Sequence, residues 1–438
     1  MKKAFYTICE YGVIRSKKDY GEIEDTSLKE IYLPNTHFDS LFQYIAENQD
    51  ESQDGEKPFT LFSKGKKRQI KVKNYVGVIE TKQGLHLEIL PKIHLNKKIN
   101  EKAATKAIFL KMLKHLKNSP FVNINQAHLE TQKDFPILEV FIKSYITELE
   151  EKLHQGLKHD YIIHQENVPY LKGKLKITEN VKQNYANAAH FFCEFSNYSP
   201  NIPLNKIIKK TLIKLLHLSN NYQNIYHINK ILSHLTHVKI STDIQKDFSK
   251  INTSNRLLKK YDTIVKWSTI FLMNQSFTNF KGDNLNTAIL FPMERIFEDY
   301  ITHLFKKYGH GYKIKTQDKS YFLVKHQGMD KFGLKPDIVL NKAENHEKLI
   351  DAKWKLLNEF AIKRNYNISQ ADMYQLYAYG KKYSTSQNEP KLILLYPSNP
   401  NFTKKLDEFI YEGELKLEVV PFDFNQDVRV QIEYIIGL

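Results

Sequence analysis

Apolar and polar positions change texture twice along the chain. Up to about residue 100, short apolar runs sit between turn residues. Phe59–Phe62, Tyr75–Ile79 and Leu85–Leu90 therefore predict strands. A polar stretch from Glu47 to Lys57 predicts an exposed loop, and the basic run Ser63-Lys64-Gly65-Lys66-Lys67-Arg68 predicts a hairpin tip. From about 101 to 284 the spacing becomes mainly helical. Helices are predicted from Ala103, over Leu138–Leu153, from Pro203 through Leu216, and near Leu257–Met273. Pro203 suits a first helical turn, where a missing N–H leaves no bond unmade.

The texture changes again from about 285. Met293, Ile296, Phe297, Tyr300, Ile301, Leu304 and Phe305 share one helical face, and Gly309 is placed to end that helix in a left-handed conformation. Strands are predicted at Tyr321–Lys325, Lys335–Leu340 and Lys348–Trp354. A helix over Ser369–Lys382 follows, with Ser369 and Asp372 spaced as a cap, and then a strand at Leu392–Tyr396. The expected fold is therefore α/β and mixed. It comprises a β-rich N-terminal domain (1–100), a mainly helical connecting region (101–284) and an α/β domain (285–438).

Composition narrows the class. Of 438 residues, 41% are hydrophobic and 26% charged, a globular balance. No apolar run nears the about 20 residues of a membrane-spanning helix, and no signal peptide is evident, so a cytoplasmic protein is expected. Two cysteines cannot build a disulfide framework or a cysteine-rich zinc site. A formal charge of +16 favours a polyanionic partner such as double-stranded DNA.

Chemistry concentrates in Lys335-Pro336-Asp337-Ile338-Val339-Leu340 and Leu349-Ile350-Asp351-Ala352-Lys353-Trp354, which together predict a hairpin. Asp351 and Lys353 are two apart on a strand and so project from one face. Two carboxylates and a lysine suit Mg²⁺-dependent phosphodiester hydrolysis, with Mn²⁺ as a substitute. Asp337, Asp351 and the Ala352 carbonyl would ligate the ion, and Lys353 would steady the attacking water and the growing phosphorane charge. Glu298 on the preceding helix is a further candidate ligand, with Glu294 competing for the role. Gln375 and Tyr379 are four apart on the following helix, where Gln375 could meet DNA or the water. The bland alternative is an exposed hairpin with an Asp–Lys ion pair. No Gly-x4-Gly-Lys-Ser/Thr loop is present, so no nucleotide is expected on this chain itself.

These residues resemble the McrC family, nuclease subunits of McrBC modification-dependent restriction systems. The matching pieces are Met293-x-x-Ile296-Phe297-Glu298-x-Tyr300, Pro336-Asp337-Ile338-Val339, Asp351-Ala352-Lys353-Trp354 and Gln375-x-x-x-Tyr379. Upstream, Tyr75–Ile79 with Leu87–Ile93, Leu171–Leu175, Glu194-Phe195-Ser196 and Pro203-x-Asn205 look like the family's earlier signatures. The resemblance implies a PD-(D/E)xK restriction-endonuclease-like domain at 285–438 with Asp337, Asp351 and Lys353 catalytic. It also implies a ring-shaped, McrB-like AAA+ NTPase partner, usually a GTPase, onto which the N-terminal domain docks and whose hydrolysis it stimulates. Lys64, Lys66, Lys67 and Arg68 are candidate partner or DNA contacts. Two other readings stay open: a non-cleaving activator of an NTPase ring, and a stand-alone defence nuclease.

Overall fold

The computed structural model describes all residues except 1–2, 22–27, 48–56, 66, 94–100, 124–134, 187–188, 252–255, 274–284, 343–344, 386–387, 414 and 438. The chain divides into two compact units, Met1–Ile137 with Ser276–Leu438, and Leu138–Gln275.

In the first unit the three predicted N-terminal strands join strands that the spacing did not reveal in two four-stranded sheets. One runs in the order Ala4–Cys9, Leu85–Leu90, Tyr75–Thr81, Leu285–Pro292, with the first pair parallel and the others antiparallel. The other runs Glu30–Leu33, Val13–Ser16, Lys67–Val72, Phe59–Lys64. Ile14, Phe38, Leu41, Ile79, Leu87 and Leu290 belong to one core, so the helix Asn35–Glu47 and both sheets bury their apolar faces together. Residues 285–292 thus carry a strand of the N-terminal sheet, ahead of the helix that the sequence pattern placed first. Gly77 explains itself here. Its φ of 140° suits only glycine, and a Cβ would overlap the carbonyl oxygen of Ile289 on the neighbouring strand. Lys64 pairs with Lys67 across the predicted basic hairpin. Most of the expected loop at 47–57, and Lys66, lie outside the described residues.

The same unit holds a six-stranded sheet in the order Lys313–Thr316, Ile338–Lys342, Asn345–Ala352, Lys391–Pro397, Lys416–Phe422, Phe409–Ile410. The pairs around Lys391–Pro397 are parallel and the rest antiparallel. Strand bounds shift from expectation: the strands are Ile338–Lys342 and Asn345–Ala352, so Asp337 precedes its strand and Lys353 follows its own. Phe322–His326 pairs separately with Met329–Gly333, turning at Gln327 and Gly328. Both have positive φ, which matches the strand twist.

Two local predictions are corrected. Gly309 ends Met293–Tyr308 with φ −78°, not left-handed. Glycine is required there by crowding, because a Cβ would lie 2.6 Å from the Phe305 carbonyl oxygen and from Ile314. Ser369 precedes the helix Gln370–Tyr383 without a side-chain cap bond. Asp372 is instead buried, accepting from Lys355 Nζ at 2.8 and 2.9 Å and from the Tyr396 hydroxyl at 2.9 Å.

The second unit is built on Pro203–Leu218, packed with Asp262–Met273. The helix expected near 257–273 is two pieces, Arg256–Lys259 and Asp262–Met273, broken at Lys260 and Tyr261. The central region also has a sheet that its spacing did not reveal: Asp160–Val168, Phe191–Ser199 and Lys174–Leu175. Two signature segments meet in it, since Leu175 pairs with Cys193 and Lys174 with Glu194. Gly173, at φ 69°, lies against Glu194 and Phe195 where a Cβ would overlap. Asn205 is buried and donates to the carbonyls of Lys158 and Pro200, tying the helix start to the chain before and after the sheet.

Candidate active site

Ile338 faces Ile350 in the antiparallel ladder, so Asp337 and Asp351 occupy the next rung at the end of the strand pair. Both are buried, at 5% and 1% exposure, beneath a cavity of about 570 Å³. Glu298, Gln317, Lys335, Lys353, Gln375 and Tyr379 also line it. The structure therefore brings together Asp337, Asp351, Lys353, Glu298 and Gln375. Glu294 does not line this cavity. Lys64, Lys67 and Arg68 are elsewhere: Lys64 is exposed, Lys67 stands over Tyr20, and Arg68 pairs with Asp39 at 2.6 Å and covers Phe42.

Each acid has defined partners. Asp337 Oδ2 accepts from the Ala352 N–H at 2.9 Å, and Oδ1 from Gln317 Nε2 at 2.9 Å. Gln317 also donates its backbone N–H to the Asp337 carbonyl while held at a left-handed φ of 53°. Sequence reasoning missed Gln317, because Lys313–Thr316 has too little apolar content to announce a strand. Asp351 Oδ2, near the end of its strand, meets Nζ of Lys353 just beyond it at 2.5 Å. Gln375 Nε2 donates to the Tyr379 hydroxyl at 2.7 Å.

Crowding of like charge shapes the electrostatics. Burial, then Asp351 and Glu298, push the Asp337 carboxyl well above its ordinary range. Burial raises Asp351 against the opposing pull of Lys353. Glu298 is pushed up to about 7, chiefly by burial, with Lys353 opposing and Asp351 adding. For Lys353 burial disfavours the charge, but Asp351, Asp337 and Glu298 outweigh it and hold the ammonium. Carboxyls crowded enough to resist ionisation, with the Lys353 ammonium held among them, form a setting that a divalent cation would relieve. The donors are all hard oxygens, as Mg²⁺ prefers. Among the described residues no three acidic, histidine or cysteine side chains form a ready-made metal cluster. Carboxylates supplemented by water fit this arrangement better than a closed protein cage.

Fold and site define a mixed α/β protein with an acid–lysine site at the end of a strand pair. The chain belongs to the family of McrBC 5-methylcytosine restriction system components, whose model matches residues 70–397. It is similar to a chain of the half-complex from a tetradecameric assembly of Thermococcus gammatolerans McrB AAA+ hexamers with bound McrC. That match has TM-score 0.70 and 17% identity, covering 99% of both chains. It is also similar to a chain of the Thermococcus gammatolerans McrBC complex, at TM-score 0.51 and 16% identity, covering 71% of this chain and 89% of that one. At such identities the likeness is one of fold. No curated protein sequence matches the chain. No helix among the described residues is long and apolar enough to cross a membrane.

Proposed function

We propose that this chain is the Mg²⁺-dependent DNA-cutting subunit of a modification-dependent restriction complex, with a PD-(D/E)xK-type nuclease domain at 285–438. The observation that carries this reading is the convergence of Asp337, Asp351 and Lys353, with Glu298 and Gln375 beside them, around one open cavity. Asp337, Asp351, the Ala352 carbonyl and Glu298 would hold the ion, with Mn²⁺ as substitute. When bound, such an ion would supply Lewis acidity toward the scissile phosphate and toward the water that attacks it. Lys353, charged and tethered to Asp351, would orient the attacking water and stabilise the charge developing on phosphorus. Gln375, steadied by Tyr379, would contact the water or the DNA. Gln317 and the Ala352 N–H hold Asp337 in place.

Partnership with an AAA+ ring belongs to the same reading. It is supported by the family and by the likeness to a chain from McrB AAA+ hexamers with bound McrC. In that arrangement residues 1–100 would dock to the ring and stimulate its hydrolysis, residues 101–284 would connect, and the complex would work in the cytoplasm. The test is cleavage of modified duplex DNA by the reconstituted complex with Mg²⁺. Asp337→Ala, Asp351→Ala and Lys353→Ala should each lower the rate at least about a hundredfold while nucleotide hydrolysis persists. Undiminished cutting by any of them refutes the assignment. A wild-type complex that hydrolyses nucleotide but never cuts establishes the activator reading instead, and cutting by the single chain establishes the stand-alone one.

A further inference from the structure

We propose a second, phosphate-binding site in a cavity of about 590 Å³ on the opposite face of the Met293–Tyr308 helix from Glu298. Lys111, Lys114 and His115 enter it from the end of the helix Glu101–Leu113, His303 and Lys307 from Met293–Tyr308, and Arg429 from the first turn of Val428–Gly437. At 3.6 residues per turn, positions 303 and 307 stand about 140° and 180° around the axis from 298. The site is therefore separate from the acid–lysine cavity, and the proposal does not depend on the cutting reading.

The lysines are what point to a ligand. Among the described residues Lys111, Lys114 and Lys307 have no acidic partner; Lys111 and Lys114 are half-buried, and Lys307 stands over the Tyr308 ring at 5.0 Å. Arg429 pairs with Glu433 at 2.8 Å, so it is already partly neutralised. The acid at the rim, Asp427, accepts the backbone N–H of Val430 at 3.0 Å and caps its own helix rather than answering the lysines. His115 and His303 stack at 4.0 Å between ring centroids and form an aromatic floor. Burial, then His303 and the neighbouring lysines, hold His115 down at about 4, so at neutral pH the floor adds no charge of its own. Three like charges converging on a concave surface focus a positive potential. Each ammonium offers three donors without fixed planar geometry, which suits a tetrahedral, many-oxygened anion better than a flat carboxylate. Both a nucleic-acid backbone and a free nucleotide present that chemistry.

The test compares the full chain with a Lys111→Gln, Lys114→Gln, Lys307→Gln variant, using a fluorescent DNA duplex across a salt series and GTP or inorganic phosphate as competitors. Each phosphate contact contributes about 0.9 to the slope of log affinity against log salt, so the slope should fall by about 2 to 3. Weakening for the duplex alone assigns the DNA backbone. Weakened GTP or phosphate binding assigns a free phosphate ligand. As a check independent of the variant's folding, lysine acetylation of the wild-type chain should slow at Lys111, Lys114 and Lys307 when millimolar phosphate, GTP or duplex is present. Unchanged slope and affinity for all three probes, with acetylation equal in their presence and absence, would overturn the proposal.

Discussion

Replacing Trp354 by Phe tests how the N-terminal sheet secures the residue next to Lys353. The Trp354 indole is 1% exposed, and its Nε1–H donates to Glu10 Oε1 at 2.6 Å. Glu10 is buried at the end of the first strand. Its other contacts are the Lys92 N–H at 3.0 Å and the Lys92 ammonium at 4.0 Å from Oε2. Burial raises the Glu10 pKa above 4.5; Lys92 and the indole bond oppose the rise, and Glu294 adds to it. A hydrogen bond to a charged group contributes about 1.5–3 kcal/mol, and to a neutral one about 0.5–1.5. Trp354→Phe should therefore cost about 0.5–1.5 kcal/mol from this bond while Glu10 is protonated and about 1.5–3 kcal/mol once it is ionised, beyond the packing loss. A carboxyl with a raised folded pKa stabilises most below its unfolded pKa, and that contribution is lost as pH rises through the folded value. Removing the indole bond raises the folded pKa further, so the variant's deficit should grow with pH. Urea melts of both proteins at pH 4.5 and pH 8 should give differences about 1 kcal/mol apart, larger at pH 8. Equal deficits, or a larger one in acid, would refute a charged Glu10 held by the indole.

Gly77→Ala should cost about 3 kcal/mol or more, because both the φ of 140° and the approach of Ile289 exclude a Cβ; a denaturant melt measures it. Asp372→Ala should cost about 2–3 kcal/mol, since it strands the buried Tyr396 hydroxyl, and Tyr396→Phe in that background should recover part of the loss. Glu298→Gln should raise the Mg²⁺ concentration for half-maximal cleavage at least about tenfold while leaving the melt unchanged; an unaltered Mg²⁺ dependence removes Glu298 from the ligand set.

The hairpin at 338–352 was legible because both strands are central and place apolar residues on both faces, at Ile338–Leu340 and Leu349–Ile350, against which Asp351 and Lys353 stand out. Leu85–Leu90 was legible from its alternation of apolar with polar residues, although His86 and Glu88 on its second face are buried too, Glu88 against Lys106 at 2.9 Å. What escaped is long-range. Asp372 sits where a helix cap would, and only the fold shows that Lys355 and Tyr396 claim it. Gly309 reads as a left-handed stop, yet what requires it is crowding by the Phe305 carbonyl and Ile314, which only the folded path of the chain after the helix reveals. The strands at 160–199 are difficult to read because their outward side chains mix apolar with charged residues: Tyr161 and Ile163 are 69% and 67% exposed, so no clean alternation forms.

The strand Leu285–Pro292 carries the most consequence among the unpredicted elements. It pairs with Tyr75–Thr81 along its length, and Pro292 is the residue immediately before the helix that bears Glu298. The Met293 N–H is bonded to the Asn74 carbonyl at 2.8 Å, so no loop separates sheet from helix. A second tie enters from the other side, where Glu10 grips Trp354 next to Lys353. Two site residues on different elements are thus anchored to the same N-terminal sheet. A flexible linker would let that sheet move without disturbing the site, whereas these short connections do not. Displacement of the sheet must either carry Glu298 and Lys353 along or break a buried hydrogen bond, at a cost of about 1–3 kcal/mol each. The distance between the two residues is therefore the quantity through which an event at the N-terminal sheet would reach the site.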